Sequence, residues 1–226
     1  MVRARASRVS TDPLPDPEAI LAATKEPDFR QERARRSYLA LIDAATTLFA
    51  KRGYDAVGTP EIAQEAGVSV GTFYRYFEDK HEIYVEIARR TMITAYRVSV
   101  EGLTPQLFVG RGRRETIAAA VTHLFANVLE RPELSRSFTE MSLRDAQVAE
   151  LRRALEQLSI RRLTMLIDAV VPRDVIADPE AAAFVIYTLV MEAAYSLVGQ
   201  FGPPPLDAER TKAAVTLFIE RALFPT

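Results

Sequence analysis

The sequence predicts an all-α protein of about nine helices, and three observations carry that expectation. No stretch alternates apolar with polar residues over the length of a strand, while apolar residues recur at spacings of three and four. Helix starts are written as a capping residue followed by proline, as in Thr59 with Pro60 and Asp178 with Pro179. Helix stops are written as glycine or proline, at Gly53, Gly67, Gly102 and Pro172. With 48% hydrophobic and 26% charged residues, the 226-residue chain has an ordinary globular composition.

Residues 1–30 stand apart as a flexible extension. Arg3, Arg5 and Arg8 precede Pro13, Pro15 and Pro17, which preclude a helix there, and 18–25 has the composition of a short one.

The domain expected over 31–80 opens with a helix over 33–52, carrying Leu41, Ile42, Ala45, Leu48 and Phe49 on its apolar side. A second helix starts with Thr59 as cap. Ile62 and Ala66 lie on its inner side, and Gly67 ends it where left-handed φ is needed. Val68 plugs the corner, and Ser69 caps a third helix over 70–77 whose Phe73 and Phe77 turn inward. Left outward are Val70, Gly71, Thr72, Tyr74, Arg75 and Tyr76, a set of hydroxyls, rings and one guanidinium suited to phosphates, thymine methyls and base edges. Two short helices at a glycine corner, the second with such a face, read as a helix-turn-helix for a DNA major groove. Gly71 costs about 1 kcal/mol in a helix interior, which fits close approach of backbone to phosphate.

Net charge is −1, so charge placement has to supply affinity for DNA. Arg33, Arg35 and Arg36 cluster at the start of the first helix, beside the reading helix. The extension at 1–30 has two open roles, a basic arm along DNA or an inert tail.

The run LIDAATTLFAKRGYDAVGTPEIAQEAGVSVGTFYRYF, closed by EDKHEIY, resembles the DNA-binding domain of the tetracycline repressor (TetR/AcrR) family. The resemblance covers about 35–95. It implies a three-helix reading head followed by a long connecting helix, DNA contacts at Thr72, Tyr74, Tyr76 and Lys80, and a backbone contact at Thr59.

After the head, Asp79 and Glu82 form a capping-box pattern that opens a helix running to Gly102. Residues 103–112 read as a loop. Further helices are expected over 113–129, from Pro132, over 146–171, 179–200 and 207–223. The helix over 179–200 is apolar nearly all round, with Phe184, Tyr187, Met191, Ala194 and Val198 on one face, and so needs two surfaces to bury it. The last helix shows a stripe of Ala214, Val215, Phe218, Ile219 and Ala222. A partner subunit supplies the second surface, and the resemblance implies a homodimer through these last two long helices.

Domain 81–226 mixes apolar side chains with a few polar ones, the composition of a small-molecule site. Its candidate lining is Met92, Tyr96, His123, Phe125, Asn127, Met165, Asp168, Tyr187, Met191, Glu192 and Tyr195. Glu192 and Asp168 favour an uncharged or cationic hydrophobic effector. There are no catalytic or metal-ligating constellations: cysteine is absent, the two histidines stand in different domains, and nucleotide and hydrolase signatures are missing. No cofactor is expected. The lack of cysteine fits a reducing cytosol, and no secretory signal precedes the domains. The apolar tract 181–191, broken by Glu192, is short for a bilayer, so a soluble cytoplasmic protein is expected.

The function expected is a homodimeric regulator of transcription, a repressor released from an inverted-repeat operator by a small hydrophobic ligand. The alternative is a DNA-binding interaction protein whose second domain takes a protein partner. A helical enzyme is a third reading.

Overall fold

The computed structural model describes residues 19–20, 29, 31–110, 112–199 and 202–225, without the side chains of 109 and 110. The extension expected over 1–30 lies largely outside the described residues. Among them there is no strand, and nine principal helices follow one another: α1 Glu32–Arg52, α2 Thr59–Glu65, α3 Val70–Tyr76, α4 Lys80–Tyr96, α5 Arg113–Leu129, α6 Pro132–Arg144, α7 Ala146–Val170, α8 Pro179–Leu197 and α9 Ala208–Leu223.

Two cores form. One gathers Leu41, Phe49, Ile62, Phe73 and Phe77 of the first three helices with Tyr84 and Ile87 of α4, and extends to Phe138 of α6 and Leu151 of α7. The other joins α5, α7, α8 and α9 around Val121, Phe125, Ile167, Val190 and Ile219. The head is held to α4 by a buried carboxylate. Glu86 is 2% exposed; it accepts from Arg89 at 2.8 Å and Arg90 at 2.7 Å, and from the Tyr38 hydroxyl of α1 at 3.4 Å.

Several local expectations are corrected. Gly58, not Thr59, is the cap of α2, because the Glu61 carboxylate reaches back to the Gly58 N–H at 2.8 Å. The helix expected to run evenly to Gly102 changes at Tyr96 into a π-helical turn, Arg97–Glu101. Gly102 sits at φ −71, so it is not a left-handed stop. Arg162 of α7 satisfies this end instead, donating to the carbonyls of Glu101 at 3.2 Å and Leu103 at 2.7 Å. The expected loop after it contains a helical turn, Leu107–Gly110.

α8 is 19 residues long with a mean hydropathy of 1.3, enough by length and composition to cross a bilayer, against the sequence expectation. Only 17% of that stretch is buried inside the chain. Its inner side is Ala183, Val190 and Ala194, whereas Phe184 is 51% and Val185 60% exposed, so Phe184 belongs to the outer face. On α9, Val215 and Ile219 face the core while Phe218 is 67% exposed, which splits the stripe expected there.

Candidate nucleic-acid interface and ligand cavity

The corner between α2 and α3 closes by a two-bond helix stop. Gly67 adopts φ +66, its N–H donates to the Gln64 carbonyl at 3.0 Å, and the Val68 N–H donates to the Ala63 carbonyl at 3.0 Å. A side chain at 67 would be strained in that conformation. Ser69 then caps α3, accepting from the Thr72 N–H at 3.1 Å. Phe73 is fully buried, which fixes the rotation of α3 and turns Val70 and Tyr74 outward, 40% and 55% exposed. Ser69, Gly71 and Arg75 are exposed as well. A Cβ on Gly71 would meet only Ser69 Oγ, at 3.8 Å, so packing within the chain does not require the glycine.

The hydroxyl of Tyr76 donates to the Ala34 carbonyl at 3.2 Å, and its ring lies edge-on to Tyr38 at 5.7 Å. The end of α3 is thereby pinned to the first turn of α1, and the exposed Arg33, Arg35 and Arg36 flank the reading helix. That bond leans Tyr76 toward α1 and leaves it half-buried, less open than Tyr74. Lys80 also has partners within the chain. Its Nζ donates to the carbonyls of Tyr54, Asp55 and Val57 at 3.0, 3.4 and 3.1 Å and lies over the Tyr54 ring at 4.4 Å. An ammonium has three donors, and in the free chain they are taken up by the loop between α1 and α2. Thr59 and Thr72 are half-buried: Thr59 Oγ1 lies 3.1 Å from the Tyr74 hydroxyl, and Thr72 Oγ1 lies 2.9 Å from Ser69 Oγ.

Arg144, at the end of α6, ties the second domain to the head by donating to Asp55 at 2.8 Å; within the second domain α4 is held to its neighbours where His81 Nε2 lies 2.8 Å from Asp145 and the Tyr84 hydroxyl lies 2.8 Å from Ser137 Oγ.

Between α4, α5, α6, α7 and α8 lies a cavity of about 170 Å³. Met92, Tyr96, Asn127, Tyr187, Met191, Glu192 and Tyr195 of the expected set line it. Four others do not. His123 is exposed in a surface cleft; Phe125, 1% exposed, is part of the core; Met165 is 59% exposed; and Asp168 is half-exposed and paired with Arg173 at 2.6 Å. Lining residues that the sequence did not suggest include Arg152, Glu156 and Ser159. Glu156 lies four residues after Arg152 on α7, a spacing that reads equally as a solvated charge pair. The π-helical turn borders this cavity through Val100. There Asn127 donates to Ser99 Oγ. A second cavity of about 70 Å³ is lined by apolar side chains such as Ile117, Leu166 and Val190 and shares Val100, Leu124, Tyr187 and Met191 with the first. Among the described residues no cluster of histidine, cysteine, aspartate or glutamate could hold a metal ion.

Residues 41–87, which span α1 from Leu41 through half of α4, match the model of bacterial regulatory proteins of the tetR family. The chain is 36% identical over 61 residues to the fatty acid metabolism regulator protein of Bacillus subtilis, covering 27% of this chain and 31% of that protein. It is 35% identical over 85 residues to the transcriptional activator FasR of Mycolicibacterium smegmatis, covering 38% of this chain and 37% of that one. The match to the repressor KstR of Rhodococcus jostii is 27% identical and longer, covering 72% of this chain and 71% of KstR. The chain thus spans about a third of the length of the first two relatives. The fold is that of a tetR-family regulator from Mesorhizobium loti, with TM-score 0.68 and 22% identity, covering 85% of this chain and 98% of that one.

Proposed function

We propose that the chain, whose residues 41–87 match the tetR family of bacterial regulatory proteins, regulates transcription as a homodimer whose two α3 helices enter successive major grooves of an inverted-repeat operator. The observation that carries this reading is the exposed α3 face of Val70, Tyr74 and Arg75, fixed in rotation by buried Phe73 and flanked by Arg33, Arg35 and Arg36. The outer faces of α8 and α9, with Phe184, Val185, Leu189 and Phe218 exposed, support a partner subunit covering them. FasR is named an activator and KstR a repressor. We favour repression relieved by a small ligand in the cavity beside Tyr96 and Tyr187.

Coupling follows from the connections. α6 lines the cavity with Ser135 and Phe138 and ends at Arg144 on the head. α4 lines it with Met92 and Tyr96 and begins at the head itself. A ligand shifts the spacing of the heads only if it binds the released spacing more tightly than the DNA-bound one. The test is operator affinity at fixed salt with and without a saturating cavity ligand. A loss of roughly 5- to 150-fold supports the switch, and equal affinity refutes it for that ligand.

A further inference from the structure

We propose that the cavity takes a cationic amphiphile, its ammonium lodged among Glu156, Glu192 and the phenols of Tyr187 and Tyr195, its hydrocarbon tail laid in the adjoining apolar slot. This rests on the ligand-responsive reading above and adds the chemistry of the ligand.

The slot fixes the tail. Its lining is apolar apart from Tyr187 and Thr116, whose hydroxyl donates to the Leu107 carbonyl at 3.0 Å, and it shares Leu124, Tyr187 and Met191 with the larger cavity. Hydrocarbon is the matter that such a space accommodates without stranding a polar group.

The larger cavity fixes the head. Its charged lining consists of two carboxylates, Glu156 and Glu192, and one guanidinium, Arg152. Arg152 is already engaged, donating to Ser142 Oγ at 3.1 Å and lying over the Tyr195 ring at 5.3 Å. An anionic head that reached the remaining donors of Arg152 would also face both carboxylates. A cation pairs with a carboxylate and lies on aromatic faces, the arrangement that Arg152 itself makes with Tyr195. The phenols feel the same negative field. Burial pushes both hydroxyls up, with the Glu156 charge adding to it at Tyr187 and the Glu192 charge at Tyr195, while Arg152 opposes. They are therefore neutral hydroxyls at ordinary pH. Thr188 and Glu192 lie at the rim of the cavity.

The test uses the full chain and three probes of one tail length below their micellar concentrations: decyltrimethylammonium, 1-decanol and decanoate. Calorimetry should show the ammonium binding about tenfold or more tightly than either of the others. The double variant Glu156→Gln, Glu192→Gln should lose most of that preference while binding 1-decanol as the parent does, which also reports an intact cavity. Ala120→Phe, which fills the slot, should weaken all three. Preference for decanoate, or an ammonium preference that survives the double variant, would overturn the proposal. If none of the three binds while the protein still holds its operator, the ligand proposal and the cavity's role fall together and the DNA reading stands; failure to bind any operator would mark the DNA reading as the fault.

Discussion

Arg144, the last residue of α6, reaches across to Asp55 in the loop between α1 and α2 and binds its carboxylate at 2.8 Å, a link between residues 89 apart in sequence. Both side chains are well exposed, 43% and 73%, so the pair adds little to stability. Its consequence lies in position, since α6 also lines the cavity.

Arg144→Ala should therefore leave thermal stability nearly unchanged while altering the ligand-induced change in operator affinity by about 0.5 to 2 kcal/mol. Anisotropy titrations of labelled operator, with and without ligand, measure this. An identical ligand response would remove α6 from the route.

Tyr74→Ala should weaken binding to the selected operator by about 1 to 3 kcal/mol with the helical spectrum kept. Tyr74→Phe isolates the hydroxyl, which lies 3.1 Å from Thr59 Oγ1 in the free protein. Thr72→Ala should act similarly but partly through the structure, because its hydroxyl sits against Ser69 Oγ.

Lys80→Ala should lower the melting temperature, for it strands the three loop carbonyls that the ammonium now serves. The cost is about 1 to 3 kcal/mol by chemical denaturation. A variant as stable as the parent but weaker on every DNA sequence would return Lys80 to the phosphate role implied by the family resemblance.

Asp145 predicts a pH dependence. Burial pushes its carboxyl up, but the Val148 N–H and the His81 ring outweigh this and hold it below the usual 3.8. A depressed folded value means that its stabilisation is present above the unfolded value and is lost as pH falls through the folded one. The stability gap between the parent and Asp145→Asn should thus narrow below about pH 3.8. Urea titrations across that range test it, and a gap that widened with acid would contradict the assignment.

Phe218→Arg should oppose dimerisation, since Phe218 is 67% exposed on the face that α9 turns from its own core. Sedimentation should show the parent as a dimer and the variant shifted toward monomer, with the helical spectrum retained. A parent that is a folded monomer at micromolar concentration would remove the partner-subunit account of α8.

Legibility followed periodicity and punctuation. Gly67 and Ser69 announced the corner and the cap because their chemistry is local. The π-helical turn at 97–101 has no such signal, since it depends on Asn127 bonding Ser99 and Arg162 serving the end of the turn, both from other helices. Aromatic residues on α3 could be sorted only halfway. Tyr74 and Tyr76 look alike in sequence, and only the Ala34 carbonyl decides that Tyr76 leans toward α1. On the cavity wall, phenols and methionines could be guessed from an apolar helix. Arg152 and Glu156 could not, because charged residues four apart on a long helix ordinarily face water.

The central claim is tested most directly by selecting the sequence bound by the full chain from random duplexes and comparing the parent with Tyr74→Ala on the result. The account predicts enrichment of an inverted repeat with half-sites one or a few helical turns apart, bound more weakly by the variant. Enrichment of no sequence, or of one that Tyr74→Ala binds as tightly as the parent, would contradict it.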